Sequence, residues 1–235
     1  MEQSNKMQQW KDDNALFCLV RQNLFVALVG DTLDALGYRD QFLSQGLKPI
    51  SQEMILIGRA MPVLEADFFV EDTVHNNALS DRPFGYMFEA LDDLKENEIY
   101  ICNGGAGHYA LWGGLMSTRA IKCAAKGALL YGYHRDTKEI ERLGFPVFSF
   151  GSYAKDQLGR GKVIDWRVPI RLDNILIENG DIIYGDQDGV VVIPQKIEKE
   201  VFSKALEKAA EEKVVMQALE EGMSSAEVYQ RYGIL

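Results

Sequence analysis

The feature that most limits how this chain can fold is an alternation of strand-like and helix-like segments between residues 98 and 150. EIYICN is a short apolar run rich in β-branched and aromatic residues, which reads as a buried strand. A glycine-rich stretch, NGGAGHYALWGG, follows, and then LMSTRAIKCAAK, a helix with a basic C-terminal end. GALLYGY is a second strand, RDTKEIERLG a short helix stopped by Gly144, and PVFSF a third strand. The order β-α-β-α-β implies a parallel core, because parallel strands need crossover connections.

Around this core the pattern changes. Upstream, MILIGRAMPV reads as a strand, EADFFVEDTVHNNALS is ambiguous, and FGYMFEALDDL is helical. Downstream, KVIDWRVPI, ILIENGDIIYG and GVVVIP are strands separated by ENGD and DQDG turns, so this part reads as hairpins. Residues 1–13 read as a loose arm, and a helix is expected from Asn14 to Val29. Asp31 or Thr32 is placed to cap a second helix through Leu36, with Gly37 as its stop. A long helix is expected from Gln195 to Glu221, and a short one within SSAEVYQRYGIL. No repeat or low-complexity linker divides the chain, so the expectation is one domain over 1–235. It comprises an N-terminal helical segment (1–45), a core (46–194) and C-terminal helices (195–235).

The chain has 235 residues and a net charge of −10, which repels phosphate backbones and argues against nucleic-acid binding. Cys18, Cys102 and Cys123 are far apart and show no metal or disulfide spacing, which suits a reducing compartment. The N-terminus lacks a signal-peptide pattern, and LFCLVRQNLFVALVG is too short and too interrupted by polar residues to span a bilayer. A cytoplasmic location without membrane association is the expectation.

Topology selects a candidate site. In a right-handed β-α-β unit, the helix start and the end of the second strand share one edge of the sheet, where open α/β sheets bind ligands. On one side, Gly113 and Gly114 open a helix, so the amides of Gly113, Gly114, Leu115 and Met116 lack intrahelical partners and suit a carboxylate. On the other side stand Arg135, a rigid fork for a carboxylate or enolate oxygen, and Asp136, a hard oxygen ligand for Mg2+ or Mn2+. An Arg-Asp pair at a strand end is also a common surface ion pair. The glycine loop opposite is what turns it toward a site for a small 2-oxo acid.

Other motifs have plainer readings. GAGHYA at 105–110 has the outline of a dinucleotide fingerprint, but a second Gly-Gly follows at once and no ribose-binding acid ends the next strand. DQDG at 186–189 lacks the remainder of a calcium loop and reads as a hairpin turn. His108 and His134 flank the crevice as polar lining, with proton transfer the alternative, and His75 falls in the ambiguous segment. Ser117 and Thr118 read as first-turn helix residues rather than nucleophiles, and Trp112 and Tyr133 as site wall or core.

In order, ALWGGLMSTRA, GALLYGYHRDTKEI, FPVFSFG and GDIIYGDQDGVVVIP resemble the family of the regulator of ribonuclease activity A (RraA). That family includes 4-hydroxy-4-methyl-2-oxoglutarate (HMG) aldolases. GDTLDALG, ILIGRAMPV and RYGIL match more weakly. The resemblance implies an α/β chain with an RraA-like swivelling β/β/α domain and helical N- and C-terminal extensions. It also implies assembly as a homotrimer or hexamer.

For activity, the resemblance implies a class II lyase using Mg2+ or Mn2+: HMG aldolase-like cleavage or oxaloacetate decarboxylation through a metal-stabilised enolate of pyruvate. By position, Asp136 takes the metal, Arg135 the keto oxygen, and Gly113 to Met116 the pyruvate carboxylate. The alternative it implies is a non-catalytic protein that regulates a ribonuclease by binding it or a helicase partner. One departure matters. The aldolases carry an acid twenty-one positions before the arginine, and that position here is Gly114.

Overall fold

The computed structural model describes residues 10–68, 78–103, 105 and 107–234. In chain order the elements are α1 (Asp13–Asn23), α2 (Val26–Ala35), β1 (Lys48–Pro49), β2 (Leu56–Asp67), α3 (Met87–Asp92), β3 (Glu98–Asn103), β4 (Ala110–Trp112), α4 (Gly114–Lys122), β5 (Gly127–Tyr131), β6 (Tyr133–His134), α5 (Thr137–Leu143), β7 (Val147–Ser149) and β8 (Gly161–Trp166). β9 (Ile170–Leu172), β10 (Ile175–Ile177), β11 (Ile182–Gly185) and β12 (Val190–Ile193) follow, and then α6 (Glu198–Glu220) and α7 (Ser225–Tyr232). The chain divides into two compact units, residues 40–196 and a helical unit formed by 1–39 with 197–235.

In the larger unit an eight-stranded sheet runs β1-β7-β5-β3-β2-β11-β12, with β8 also on β2. β2, β3, β5 and β7 are mutually parallel, as the β-α-β-α-β order requires. β11 and β8 share one edge of the twelve-residue β2, its first half pairing with β11 and its second with β8, both antiparallel. Successive side chains of a strand point to opposite faces, and the core follows that rule. Tyr100 and Cys102 of β3 and Leu130 of β5 face a cluster with Leu91 of α3, Ala120 of α4 and Ile140 of α5. Ile99, Ile101 and Leu129 face the opposite cluster, with Ile170, Leu172, Ile175 and Ile177 of the β9-β10 hairpin. The layers are therefore helix, sheet and hairpin, the β/β/α order that the family resemblance implies. Burial on both faces explains why these strands read as continuous apolar runs.

The helical unit departs from expectation at one point. The single helix over 14–29 is two helices, broken at Leu24 and Phe25, both of which have extended backbones. The Asn23 amide donates to the Leu19 carbonyl and closes the last turn of α1. The break turns the chain by 106°, so that Leu16 and Val20 on α1 and Leu28 and Val29 on α2 are all buried. Asp31 and Thr32 consequently lie inside α2 rather than at its cap. Thr32 bonds back to Leu28 and Asp31 pairs with Lys208 of α6. Among the described residues no single helix is long and apolar enough to cross a membrane; α1 and α2 reach that apolarity only when taken together across their bend.

Candidate functional site

The site is built around β4 and β6, which form a separate two-stranded parallel sheet beyond the end of β5. The glycine-rich stretch is not all loop: Ala110–Trp112 forms β4 and pairs in parallel with β6. The Arg135 amide donates to the Trp112 carbonyl at 2.9 Å. Hydrogen bonds thus hold the end of one crossover against the start of the next helix, so the two sides of the crevice are fixed to each other before any ligand arrives. This pairing also disposes of the dinucleotide reading, since a strand follows GAGHY where the fingerprint needs a helix N-terminus.

Gly113 is the N-cap of α4 and Gly114 its first residue. Both are buried, and their missing side chains leave room for the facing acids. A β-carbon on Gly113 would lie 2.7 Å from Asp136 Oδ2, and one on Gly114 would lie 2.8 Å from Cγ of Glu139. Leu115 is 87% exposed, and Met116 in the same first turn packs on the core cluster beneath. Ser117 is occupied: it accepts from Trp112 Nε1 at 2.7 Å and donates to the Gly113 carbonyl. Thr118 likewise donates to the Gly114 carbonyl. Neither is a free nucleophile, and buried Trp112, stacked on Phe145, is a strut under the helix start.

Asp136 takes a left-handed backbone (φ 60°, ψ 37°) as the residue before α5. Such a conformation costs energy for a residue other than glycine and persists where its surroundings impose it. Two contacts do so here. The Asp136 carboxylate accepts the Gly114 amide at 3.1 Å, and the neighbouring His134 ring is locked between Ser149 Oγ (2.7 Å) and Thr137 Oγ1 (2.9 Å). Burial lowers the pKa of His134, a shift that its backbone contact with Gly151 opposes, and both ring nitrogens are engaged. It is a structural brace rather than a proton shuttle. The Gly114 amide is therefore already taken by a carboxylate, which leaves the Leu115 and Met116 amides of the first turn for a ligand.

Arg135 lies beside this acid, its Nε 3.9 Å from Asp136 Oδ2, and its outer nitrogen reaches Asp156 Oδ1 at 3.0 Å. Asp156 also accepts its neighbour's amide, that of Gln157, at 2.9 Å. The structure thus brings Gly113, Gly114, Leu115, Met116, Arg135 and Asp136 to one place. It adds Asp156, Gln157 and Glu139, which sequence reasoning did not single out. Asp156 and Gln157 sit in a polar loop with no motif around them. Glu139, held by Arg142, was visible only as a first-turn acid of a short helix.

Of the histidines, His108 is exposed and His75 lies outside the described residues. DQDG is the β11-β12 turn: the Asp186 amide donates to the Gly189 carbonyl, and Lys48 takes two of its carbonyls.

The donor set suits one kind of metal. Among the described residues no three His, Cys, Asp or Glu side chains converge, which is unlike a structural zinc site. A single fixed carboxylate at Asp136, with room before it, fits Mg2+ or Mn2+, which keep several waters and use few protein ligands.

Comparison with known proteins agrees with this architecture. The family model for RraA-like proteins (Aldolase/RraA) matches residues 26–192. Protein DlpA of Legionella pneumophila is 28% identical over 88% of this chain, which spans only 32% of DlpA's length. A Halalkalibacterium halodurans protein named "Putative 4-hydroxy-4-methyl-2-oxoglutarate aldolase" is 32% identical over 86% of this chain and 87% of its own. The crystal structure of Streptomyces coelicolor RraAS2, described as an unusual member of the RNase ES inhibitor RraA family, superposes with a TM-score of 0.71. It is 18% identical and is covered over 98% of its chain, against 88% of this one.

Proposed function

The chain belongs to the RraA-like family, and on that premise we propose that it is a divalent-metal-dependent lyase acting on pyruvate-type 2-oxo acids, by aldol cleavage or by oxaloacetate decarboxylation. The observation that carries this reading is the Asp136 carboxylate, held on the α4 amide with the Arg135 guanidinium beside it. Fixed charges aimed at one small crevice stabilise a developing anion without having to reorganise first.

In aldol cleavage the C3–C4 bond breaks and its electron pair passes into the C2 carbonyl. The C4 hydroxyl loses its proton as it becomes a carbonyl, and C3 then gains a proton to give pyruvate. Arg135 holds the C2 oxygen as negative charge builds on it, with Asp156 fixing the guanidinium. The Leu115 and Met116 amides, with the Gly113-Gly114 turn that aims them, receive the substrate carboxylate. Asp136 is the residue that would hold Mg2+ or Mn2+, which would supply Lewis-acid stabilisation of the developing negative charge. Decarboxylation needs the same electron sink, so one site serves both reactions.

The test is pyruvate release from oxaloacetate and from HMG with Mg2+ or Mn2+. Release that stops with chelator and in Asp136→Ala supports the mechanism; release indifferent to both contradicts it.

A second reading, a regulator that binds a ribonuclease or helicase, is favoured by one observation. Gly114 brings no carboxylate to the crevice at the position where the aldolases carry one. A Mn2+ titration separates the two, since the lyase reading requires binding that Asp136→Ala abolishes. Assembly as a trimer or hexamer in the cytoplasm belongs to the same proposal, and the molecular mass in solution tests its oligomeric part.

A further inference from the structure

A cavity of about 320 Å3 opens directly behind Arg135, within the range of small-molecule sites. Its walls are Phe84, Met87, Phe88 and Leu91 on one side and Leu115 and Met116 on the other. The first four follow i, i+3, i+4, i+7 spacing, yet the stripe is not wholly spent on the core. Phe88 is 56% exposed and Leu115 is 87% exposed, so both keep apolar surface at the rim.

The charges at the cavity are unequal. Among the described residues that line it, Arg135 is the only cation, and it meets two carboxylates, Asp136 and Asp156. The remaining polar group is Gln157, only 3% exposed, whose side-chain Nε2 is buried without a hydrogen-bond partner. A buried donor without a partner is costly in a folded protein, and the residue that carries it is among those around the cavity.

From this we infer that the cavity receives the distal part of the substrate, and that this part is an uncharged apolar group rather than a second carboxylate. The inference rests on the lyase reading for the placement of the 2-oxo acid end at Arg135. That end consumes the one cation. A second carboxylate would then be desolvated against phenyl, thioether and isobutyl side chains, with Asp156 nearby and no second cation among the described lining residues to meet it. A branched alkyl or aromatic substituent buries its surface against the same side chains. The substrate class is therefore a 4-hydroxy-2-oxo monocarboxylate with an apolar substituent at C4, distinct from the dicarboxylate HMG. The apolar group accounts for the hydrophobic lining of the cavity.

Calorimetry with Mn2+ present tests this with two non-cleavable 2-oxo acids, 4-methyl-2-oxopentanoate and 2-oxoglutarate. Burying a carboxylate without a cation costs more than burying an alkyl group of similar size, so the branched monocarboxylate is expected to bind at least about tenfold tighter. Phe88→Arg, a change at an exposed rim position, places a second cation at the cavity and is expected to narrow or reverse that ratio. Equal or tighter binding of 2-oxoglutarate by the unaltered protein, or no binding of either acid, overturns the inference. A parallel assay of pyruvate release from 4-hydroxy-4-methyl-2-oxohexanoate keeps the two proposals separate. Preferential binding with no pyruvate release from this compound, HMG or oxaloacetate refutes the lyase reading and leaves the cavity's preference for an apolar group standing; release from HMG but not from this compound overturns the substrate class.

Discussion

Replacing Gly113 by alanine adds one methyl group to a residue whose backbone already tolerates it. Gly113 has φ −155° and ψ −176°, an extended conformation open to any residue, so the substitution introduces no backbone strain. Its effect falls on the site. The new β-carbon lies 2.7 Å from Asp136 Oδ2, well inside the 3.4 Å at which ordinary contact begins, while Arg135 Cγ and Nε at 3.4 and 3.5 Å stay in normal contact. The carboxylate has to move, and the hydrogen bond it accepts from the Gly114 amide at 3.1 Å goes with it. A hydrogen bond to a charged group contributes about 1.5–3 kcal/mol, and partial exposure of this one favours the lower end. A cost of about 1–2 kcal/mol lowers the melting temperature of a chain this size by roughly 2–8 °C. Metal binding is more sensitive. Losing a partner that orients a ligand typically costs about 10–100-fold in affinity, and Mn2+ titration is expected to show at least the lower figure. The comparison is made again in an Asp136→Ala background, where nothing remains for the methyl group to displace and its effect is expected to vanish. An unchanged Mn2+ affinity in Gly113→Ala, or the same melting loss in both backgrounds, refutes the reasoning.

Three further outcomes follow from the geometry. Gly114→Asp alone pushes its β-carbon to 2.8 Å from Glu139 Cγ, so the supplied acid is expected to raise Mn2+ affinity more in the Gly114→Asp/Glu139→Ala double variant than in the single one; equal affinities, or a fall in both, remove Glu139 from the account. Glu65 is buried with Oε2 accepting from Cys102 Sγ at 3.3 Å, and burial raises its pKa to about 8 from 4.5. The folded state keeps this proton while the unfolded chain loses it, so stability falls as pH rises from about 4.5 to 8, by up to about 1.4 kcal/mol per pH unit. Glu65→Gln is expected to flatten that fall in denaturant titrations, and a slope that survives the substitution assigns it to other groups. His134 is depressed by burial in the opposite sense, so its contribution is complete above about pH 6.5 and is lost as pH falls through the lower folded-state value. His134→Ala is expected to unfold about 1–3 kcal/mol more readily, because it leaves the hydroxyls of Ser149 and Thr137 without their shared partner; a stability loss within error means that the brace is dispensable.

The parallel core was legible because β3 and β5 alternate nothing: strands buried on both faces spell continuous apolar runs, and EIYICN and GALLY do so plainly. The same topology put Gly113-Gly114 and Arg135-Asp136 on one edge without reference to any relative. The break at Leu24-Phe25 was not legible, because it is set by which side chains can be buried after a turn of 106°, and apolar spacing runs on unbroken across the kink. The β4-β6 pairing was hidden by its shortness, three residues against two within a stretch read as a glycine loop. Asp156 and Gln157 lie in the connection after β7, the last parallel strand, and only the path of the chain brings them back to Arg135. Phe84, Met87, Phe88 and Leu91 showed helical spacing, which does not distinguish a stripe spent on the core from one that lines a cavity.

Crystals soaked with Mn2+ and pyruvate and measured at the manganese absorption edge show whether Asp136 and Arg135 form a metal-dependent site for a 2-oxo acid. The expected result is an anomalous peak within direct coordination distance of an Asp136 carboxylate oxygen, with the pyruvate carboxylate on the Leu115 and Met116 amides and its keto oxygen toward Arg135. A fully soaked crystal with no peak at Asp136, or with manganese and pyruvate bound elsewhere, contradicts it.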